Sequence, residues 1–243
     1  MFDAKKTIDI IVEWTKEQMA ESKTKGFVLG LSGGLDSSVA AVLAKRAADR
    51  VLGLLLPCGG ALKDIEYAVK LAGKLSIETK SADLVGTFDV LCEQLPKGSQ
   101  LGYGNIKPRL RMIVLYYYAN LNNYLVLGTS NKTEISIGYF TKHGDGACDI
   151  APLGDLYKYQ VVALARELDI PEEIIRRAPS AGLWSGQTDE AEIGLTYAQM
   201  DPALEAIELG QAEGFDPAVV EKLRQMITQS EHKRQAPRIC KLI

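Results

Sequence analysis

Residues 29–38 read Leu29-Gly30-Leu31-Ser32-Gly33-Gly34-Leu35-Asp36-Ser37-Ser38, and this stretch decides the fold. The apolar run FVLGLS (27–32) leads into it with the length of a strand. SVAAVLAKRAAD (38–49) leads out of it as an alanine-rich helix, and VLGLLLP (51–57) is a second apolar strand. Strand, glycine turn, helix and strand in so short a span make a βαβ unit, whose parallel strands are buried on both faces. At such a turn unpaired backbone N–H groups and the positive end of the helix dipole face outward. Gly33 and Gly34 let that backbone approach an anion closely, and Ser32, Ser37 and Ser38 add hydroxyl donors, so phosphate is the natural ligand. A plain βα turn with Asp36 as helix cap is the competing reading; three serines beside the aspartate weigh against it. Two better-known loops do not fit. Walker A needs a Gly-Lys-Ser/Thr ending, but no lysine occurs between Gly30 and Lys45, and Gly30, Gly33 and Gly34 have the wrong spacing for GxGxxG.

Outward from this unit the alternation continues. Residues 3–22 carry Ile8, Ile11, Val12 and Met19 at helical spacing, and Gly26 ends that helix. The pattern then predicts helix over 64–75, strand over 77–84, helix over 88–95, loop over 96–105, helix over 109–121 and strand over 124–130. Alternation of this kind predicts an α/β fold, a doubly wound and mostly parallel sheet with helices on both faces. After residue 135 regular periods thin out. A helix is expected over 159–168, loop and turn over 182–201, and a final helix with a basic end over 217–234. With no internal repeat and no low-complexity linker, one domain over residues 1–243 is expected.

Composition removes several function classes. Of 243 residues 47% are hydrophobic and 24% charged, which suits a globular core. The net charge of −3 argues against nucleic acid as a partner, because phosphate neutralisation supplies most of that affinity. No apolar run approaches the roughly 18 residues of a membrane span, and the start MFDAKKTIDIIVEW lacks the apolar centre of a secretory signal. Cys58, Cys92, Cys148 and Cys240 are widely separated and form no CxxC pair, so free thiols in a reducing cytoplasm are expected.

SGGLDSS resembles the PP-loop of the ATP pyrophosphatases, which cleave ATP between the α and β phosphates and adenylate an acceptor. Four further stretches narrow the resemblance: NIKPRLRM (105–112), GTSNKTEISIGYFTKHGDGACDIAPLGDLYKYQV (128–161), APSAGLWSGQTDEAEIG (178–194) and EHKRQAP (231–237). With them the chain resembles the ammonia-dependent NAD synthetases over nearly its whole length. The resemblance implies the adenine nucleotide alpha hydrolase-like fold and an adenylating reaction. The nicotinate carboxylate of deamido-NAD would attack the α-phosphorus of ATP, and ammonia would then displace AMP to leave NAD. It further implies ATP contacts from Gly30, Leu31, Ser32, Gly33, Gly34, Leu35, Asp36 and Ser37, and from Thr129, Lys158 and Ser180. Asp36 and Lys158 would be catalytic, Mg²⁺ would sit on Asp36 and Glu134, and deamido-NAD would meet Arg109, Lys142, Asp149, His232 and Lys233. A homodimer is implied as well.

By their own chemistry these residues say less. Two carboxylates placed after strand ends suit Mg²⁺, which takes few protein ligands. Glu134 reads equally as a solvated acid at a helix start and Lys158 as a surface lysine. Lys142 and Asp149 read as solvated loop charges, and His232-Lys233-Arg234 as a basic helix end. The chain departs from the family at Pro57-Cys58-Gly59-Gly60, where relatives often carry an Arg or other polar residues around adenine. About 26 residues precede the first strand, too few for a glutaminase domain, so free ammonia is the expected nitrogen donor.

Overall fold

The computed structural model describes residues 2–59, 62–184 and 186–242, with Leu62, Lys63 and Asp64 described in their backbone course alone. In chain order the first half runs α1 (Ala4–Glu21), β1 (Phe27–Gly30), α2 (Leu35–Ala47), β2 (Val51–Leu55), α3 (Leu62–Lys74), β3 (Glu78–Ser81), α4 (Val85–Gln94), α5 (Gln100–Gly104) and α6 (Ile106–Asn122). The second half runs β4 (Leu125–Val126), α7 (Lys132–Ile137), α8 (Lys158–Glu167), α9 (Glu172–Ile175), α10 (Asp189–Ile193), α11 (Tyr197–Glu208) and α12 (Pro217–Arg234).

The strands form one parallel sheet in the order β3-β2-β1-β4. The chain winds outward from β1 to β3 and then returns to lay β4 on the other side of β1. The β1–β4 junction is therefore the switch point, where an open α/β sheet binds its ligands beyond the strand C-termini. Side-chain alternation covers both faces. Phe27 and Leu29 pack with α1, α2 and α8 around Ile8, Val39, Leu43, Val161 and Leu164. Val28, Leu52 and Leu54 pack on the opposite face with α6, around Leu110, Leu115 and Ala119. Each such side chain, once buried, contributes about 1.5–3 kcal/mol. A third apolar cluster joins α7, α10, α11 and α12 around Ile137, Met200, Leu204 and Leu223.

The doubly wound architecture is as the sequence predicts; the differences lie at element ends. α2 begins at Leu35, inside the serine-glycine stretch, so the loop is only Leu31–Gly34. β3 keeps four of the residues expected over 77–84, and β4 two of those expected over 124–130, with Leu127 extending it as an isolated bridge to Ile150. α5 stands in the segment read as loop, its first turn capped where the Ser99 hydroxyl accepts from the N–H of Gly102. The reading of 182–201 as loop and turn misses α10 and the start of α11, capped by Thr188 and Thr196. α11 tolerates Pro202 in its interior. Gly60, last of the departing Pro57–Gly60 segment, lies outside the described residues, as does Ser185 in the 178–194 motif.

Candidate active site

The turn after β1 is built as its sequence demands. Gly33 has φ +73, a left-handed conformation that costs an L-residue roughly 1–2 kcal/mol and glycine nothing. Gly34 caps α2 with extended backbone and no side-chain bond, leaving the first N–H groups of the helix directed outward. The serines brace the turn: Ser32 and Ser37 share a hydroxyl bond of 2.8 Å, and Ser38 donates to the Gly34 carbonyl at 2.7 Å. From the other side Arg177 donates to the Gly33 carbonyl at 2.8 Å and covers the Tyr67 ring. A braced turn with helix N–H donors left at the end of the central strand has the chemistry to accept an anion.

Asp36, in the first turn of α2, faces Glu134 in the first turn of α7, with the ammonium of Lys158 between them. Lys158 bonds Asp36 Oδ2 and lies 3.9 Å from Glu134 Oε1. It is 7% exposed, so the surface-lysine reading is overturned: residue 158 opens α8 where that helix is packed beneath the switch point. Burial disfavours its charge, but the Asp36 and Glu134 carboxylates outweigh that and hold the ammonium above the usual lysine range. Glu134 is not a solvated acid either. Burial first, and then the neighbouring Asp36 charge, push its carboxyl well above the ordinary carboxylate range. Asn131 fixes both acids. Its amide donates to Asp36 Oδ1 at 3.2 Å, and it forms a reciprocal capping box with Glu134 at 3.1 and 3.2 Å.

Tyr197 and Asp189 close the cluster. The Tyr197 ring lies 5.1 Å beneath the Lys158 ammonium, and its hydroxyl reaches Asp189 at 3.1 Å and Glu134 at 3.4 Å. Asp189 also accepts the Ala181 N–H at 3.0 Å, which ties the 178–188 segment to the site. Ser180 braces that segment by donating to the Gln187 carbonyl at 2.7 Å. Thr129 stands on the loop between β4 and α7, beyond the C-terminal end of the strand next to β1.

Of the remaining sequence-predicted residues, Arg109, Lys142, His232 and Lys233 fall in a second group and Asp149 stands apart from it. Arg109 donates to the Lys142 carbonyl, Lys142 to that of His232, and Lys233 to those of Gly138 and Phe140 at 2.7 and 2.9 Å. Burial lowers the Lys233 ammonium from its ordinary range. Asp149 stands on the α6 side, accepting the Val126 N–H at 2.7 Å and the Tyr116 hydroxyl at 3.1 Å. Asn131, Arg177, Asp189 and Tyr197 escaped the sequence reading. The Asn131-x-x-Glu134 spacing of a capping box was the one local signal among them.

The donor set fits a divalent cation. Asp36 and Glu134 oxygens already converge on one cationic centre, and two hard carboxylates beside a phosphate cradle are the ligation Mg²⁺ accepts, with phosphate oxygens and water completing it. Among the described residues no group of three or more His, Cys, Asp or Glu side chains gathers for a protein-only metal site.

Known proteins resemble this chain closely in sequence and in fold. The sequence matches the NAD synthase family over residues 7–237. An NH(3)-dependent NAD(+) synthetase of Archaeoglobus fulgidus is 42% identical over 98% of this chain and 97% of its own. The solved NMN synthetase of Francisella tularensis superposes with a TM-score of 0.92 at 37% identity, over 100% of both chains. The NH3-dependent NAD synthetase of Campylobacter jejuni, in complex with a nitrate ion, superposes with a TM-score of 0.87 at 32% identity, over 99% of this chain and 100% of its own.

Proposed function

The chain belongs to the NAD synthase family, and we propose that it carries out its reaction at the cluster of Asp36, Glu134 and Lys158. That reaction is the ATP-dependent amidation of deamido-NAD with ammonia, the last step of NAD biosynthesis, releasing AMP and pyrophosphate. One observation carries the assignment of the site: a buried ammonium held by two carboxylates at the mouth of the serine-glycine turn, at the sheet's switch point.

The turn from Gly30 to Ser37 binds the departing pyrophosphate through backbone N–H groups and hydroxyls. Thr129 and Ser180, on loops at the same end of the sheet, complete the ATP site. Lys158 offsets the negative charge that develops as the nicotinate carboxylate oxygen bonds to the α-phosphorus and the α–β bond breaks. Mg²⁺ held by Asp36 and Glu134 would supply further neutralisation of the polyphosphate. Ammonia then adds to the acyl carbon and AMP leaves with the oxygen that had bridged to phosphorus. No protein residue becomes covalently attached; positioning and charge are the enzyme's contribution. Arg109, Lys142, Asp149, His232 and Lys233 are assigned to deamido-NAD.

We read the chain as one functional domain acting as a homodimer. Ile113, Tyr117 and Leu121 form a stripe one helical turn apart along α6, between 62 and 67% exposed, which a second copy would cover. The four cysteines are free, as suits the reducing cytoplasm. Among the described residues no helix is long and apolar enough to cross a membrane.

The likeness to an NMN synthetase favours a second reading, in which the acceptor is the mononucleotide acid and the product NMN. Purified protein with Mg-ATP and ammonium as sole nitrogen donor, offered each acid separately, decides between them. A higher kcat/KM for deamido-NAD is expected; a higher value for the mononucleotide transfers the assignment to the second reading.

A further inference from the structure

Lys158 reaches Asp36 from the first position of α8, so its reach depends on where that helix begins. Two residues outside the ATP and substrate constellation fix that beginning. Asp201, on α11 and 2% exposed, accepts the Tyr159 N–H at 2.8 Å on one oxygen and the Thr133 hydroxyl at 2.6 Å on the other. The same Thr133 hydroxyl accepts the Lys158 N–H at 3.2 Å from within the first turn of α7, where its side chain is fully buried. One carboxylate and one hydroxyl thus staple the first turn of α8 to the first turn of α7. Those turns carry Lys158 and Glu134, and the staple sets their separation. A negative charge suits the place, since the start of a helix presents unpaired N–H groups and the positive end of its dipole. The Thr133–Asp201 pair joins residues 68 positions apart and links the helical cluster of α7, α11 and α12 to the catalytic lysine.

We propose that Thr133 and Asp201 are positioning residues for the adenylation step, acting through Lys158 by fixing where α8 starts. The inference rests on the reading of Lys158 as the group that offsets charge on the reacting phosphates. A displacement of about 1 Å at a catalytic group can lower turnover on the order of 10²-fold.

The test is a double-mutant cycle on the full chain, with kcat, KM for deamido-NAD and Tm measured for each variant. Thr133→Val removes the hydroxyl at nearly constant volume, and a kcat loss on the order of 10²-fold with unchanged KM for deamido-NAD is expected. Thr133→Ser, which restores the hydroxyl, is expected to recover most of that loss. In the Lys158→Ala background Thr133→Val is expected to cost nothing further, because the lysine it positions is gone. Losses that add in the double variant, or wild-type kcat in Thr133→Val beside a slow Lys158→Ala, overturn the proposal and leave the role of Lys158 standing. Normal turnover in Lys158→Ala overturns the premise and the inference with it. Should Thr133→Val not fold, Asp201→Asn keeps an acceptor for Tyr159 but replaces the acceptor of the Thr133 hydroxyl with an amide donor and loses the charge. A lowered kcat is expected there, and an unchanged one overturns the proposal.

Discussion

Lys158 stands between two carboxylates that would otherwise repel each other where they are poorly solvated, so beside its proposed part in the chemistry it contributes to folding. Lys158→Met is expected to lower kcat by about 10²–10³, the effect of losing one positioned charge-stabilising donor. Removing one partner of a buried ion pair also strands the other, and a loss of about 3 kcal/mol in denaturant unfolding is expected. Added Mg²⁺ and ATP should recover part of it by binding the native state alone. A Lys158→Met protein as stable as the parent would show that the carboxylates do not depend on the lysine for compensation. Gly33 carries a different kind of constraint. Gly33→Ala forces a methyl-bearing residue to φ +73 and is expected to cost about 1–2 kcal/mol while raising KM for ATP, since the phosphate cradle is bent with the backbone. Calorimetry with an unchanged Tm would contradict the strain argument.

At the scale of elements, the basic end of α12 acts as a clasp on α7. Arg234 donates to the carbonyls of Ile135 and Ser136, and Lys233 to those of Gly138 and Phe140, satisfying the end of the helix that holds Glu134, while Arg234 also reaches back to the Ile227 carbonyl of its own helix. Arg234→Met is expected to destabilise the chain by about 1.5–3 kcal/mol, the range for hydrogen bonds from a charged donor. A urea midpoint unchanged from the parent would contradict this. The basic helix end was legible in the sequence, but not which carbonyls it meets. The same boundary runs through the whole reading. β1, its glycine turn and α2 are written in local apolar period and glycine spacing, and there the sequence located the elements within a few residues. α11 was missed because Pro202 interrupts its period, and with it went Tyr197 and Asp201. Lys158 looked like a surface residue because burial is a property of what packs over a helix start, and no local pattern encodes that.

At the scale of the whole molecule, the return of β4 to the far side of β1 brings groups from three distant segments to one point: Asp36, Glu134 and Lys158. Ile113, Tyr117 and Leu121 leave an apolar stripe uncovered along α6. If a second copy covers it, Tyr117→Asp should shift sedimentation from dimer to monomer, whereas a parent chain that sediments as a monomer would remove that role from the stripe. The central claim concerns bond order at phosphorus: the acid is adenylated before nitrogen arrives. Deamido-NAD labelled with ¹⁸O in the nicotinate carboxylate, turned over with Mg-ATP and ammonium, tests it most directly by mass spectrometry of the products. The account requires NAD together with AMP that carries one ¹⁸O from the carboxylate; unlabelled AMP, or ADP as the nucleotide product, would contradict it.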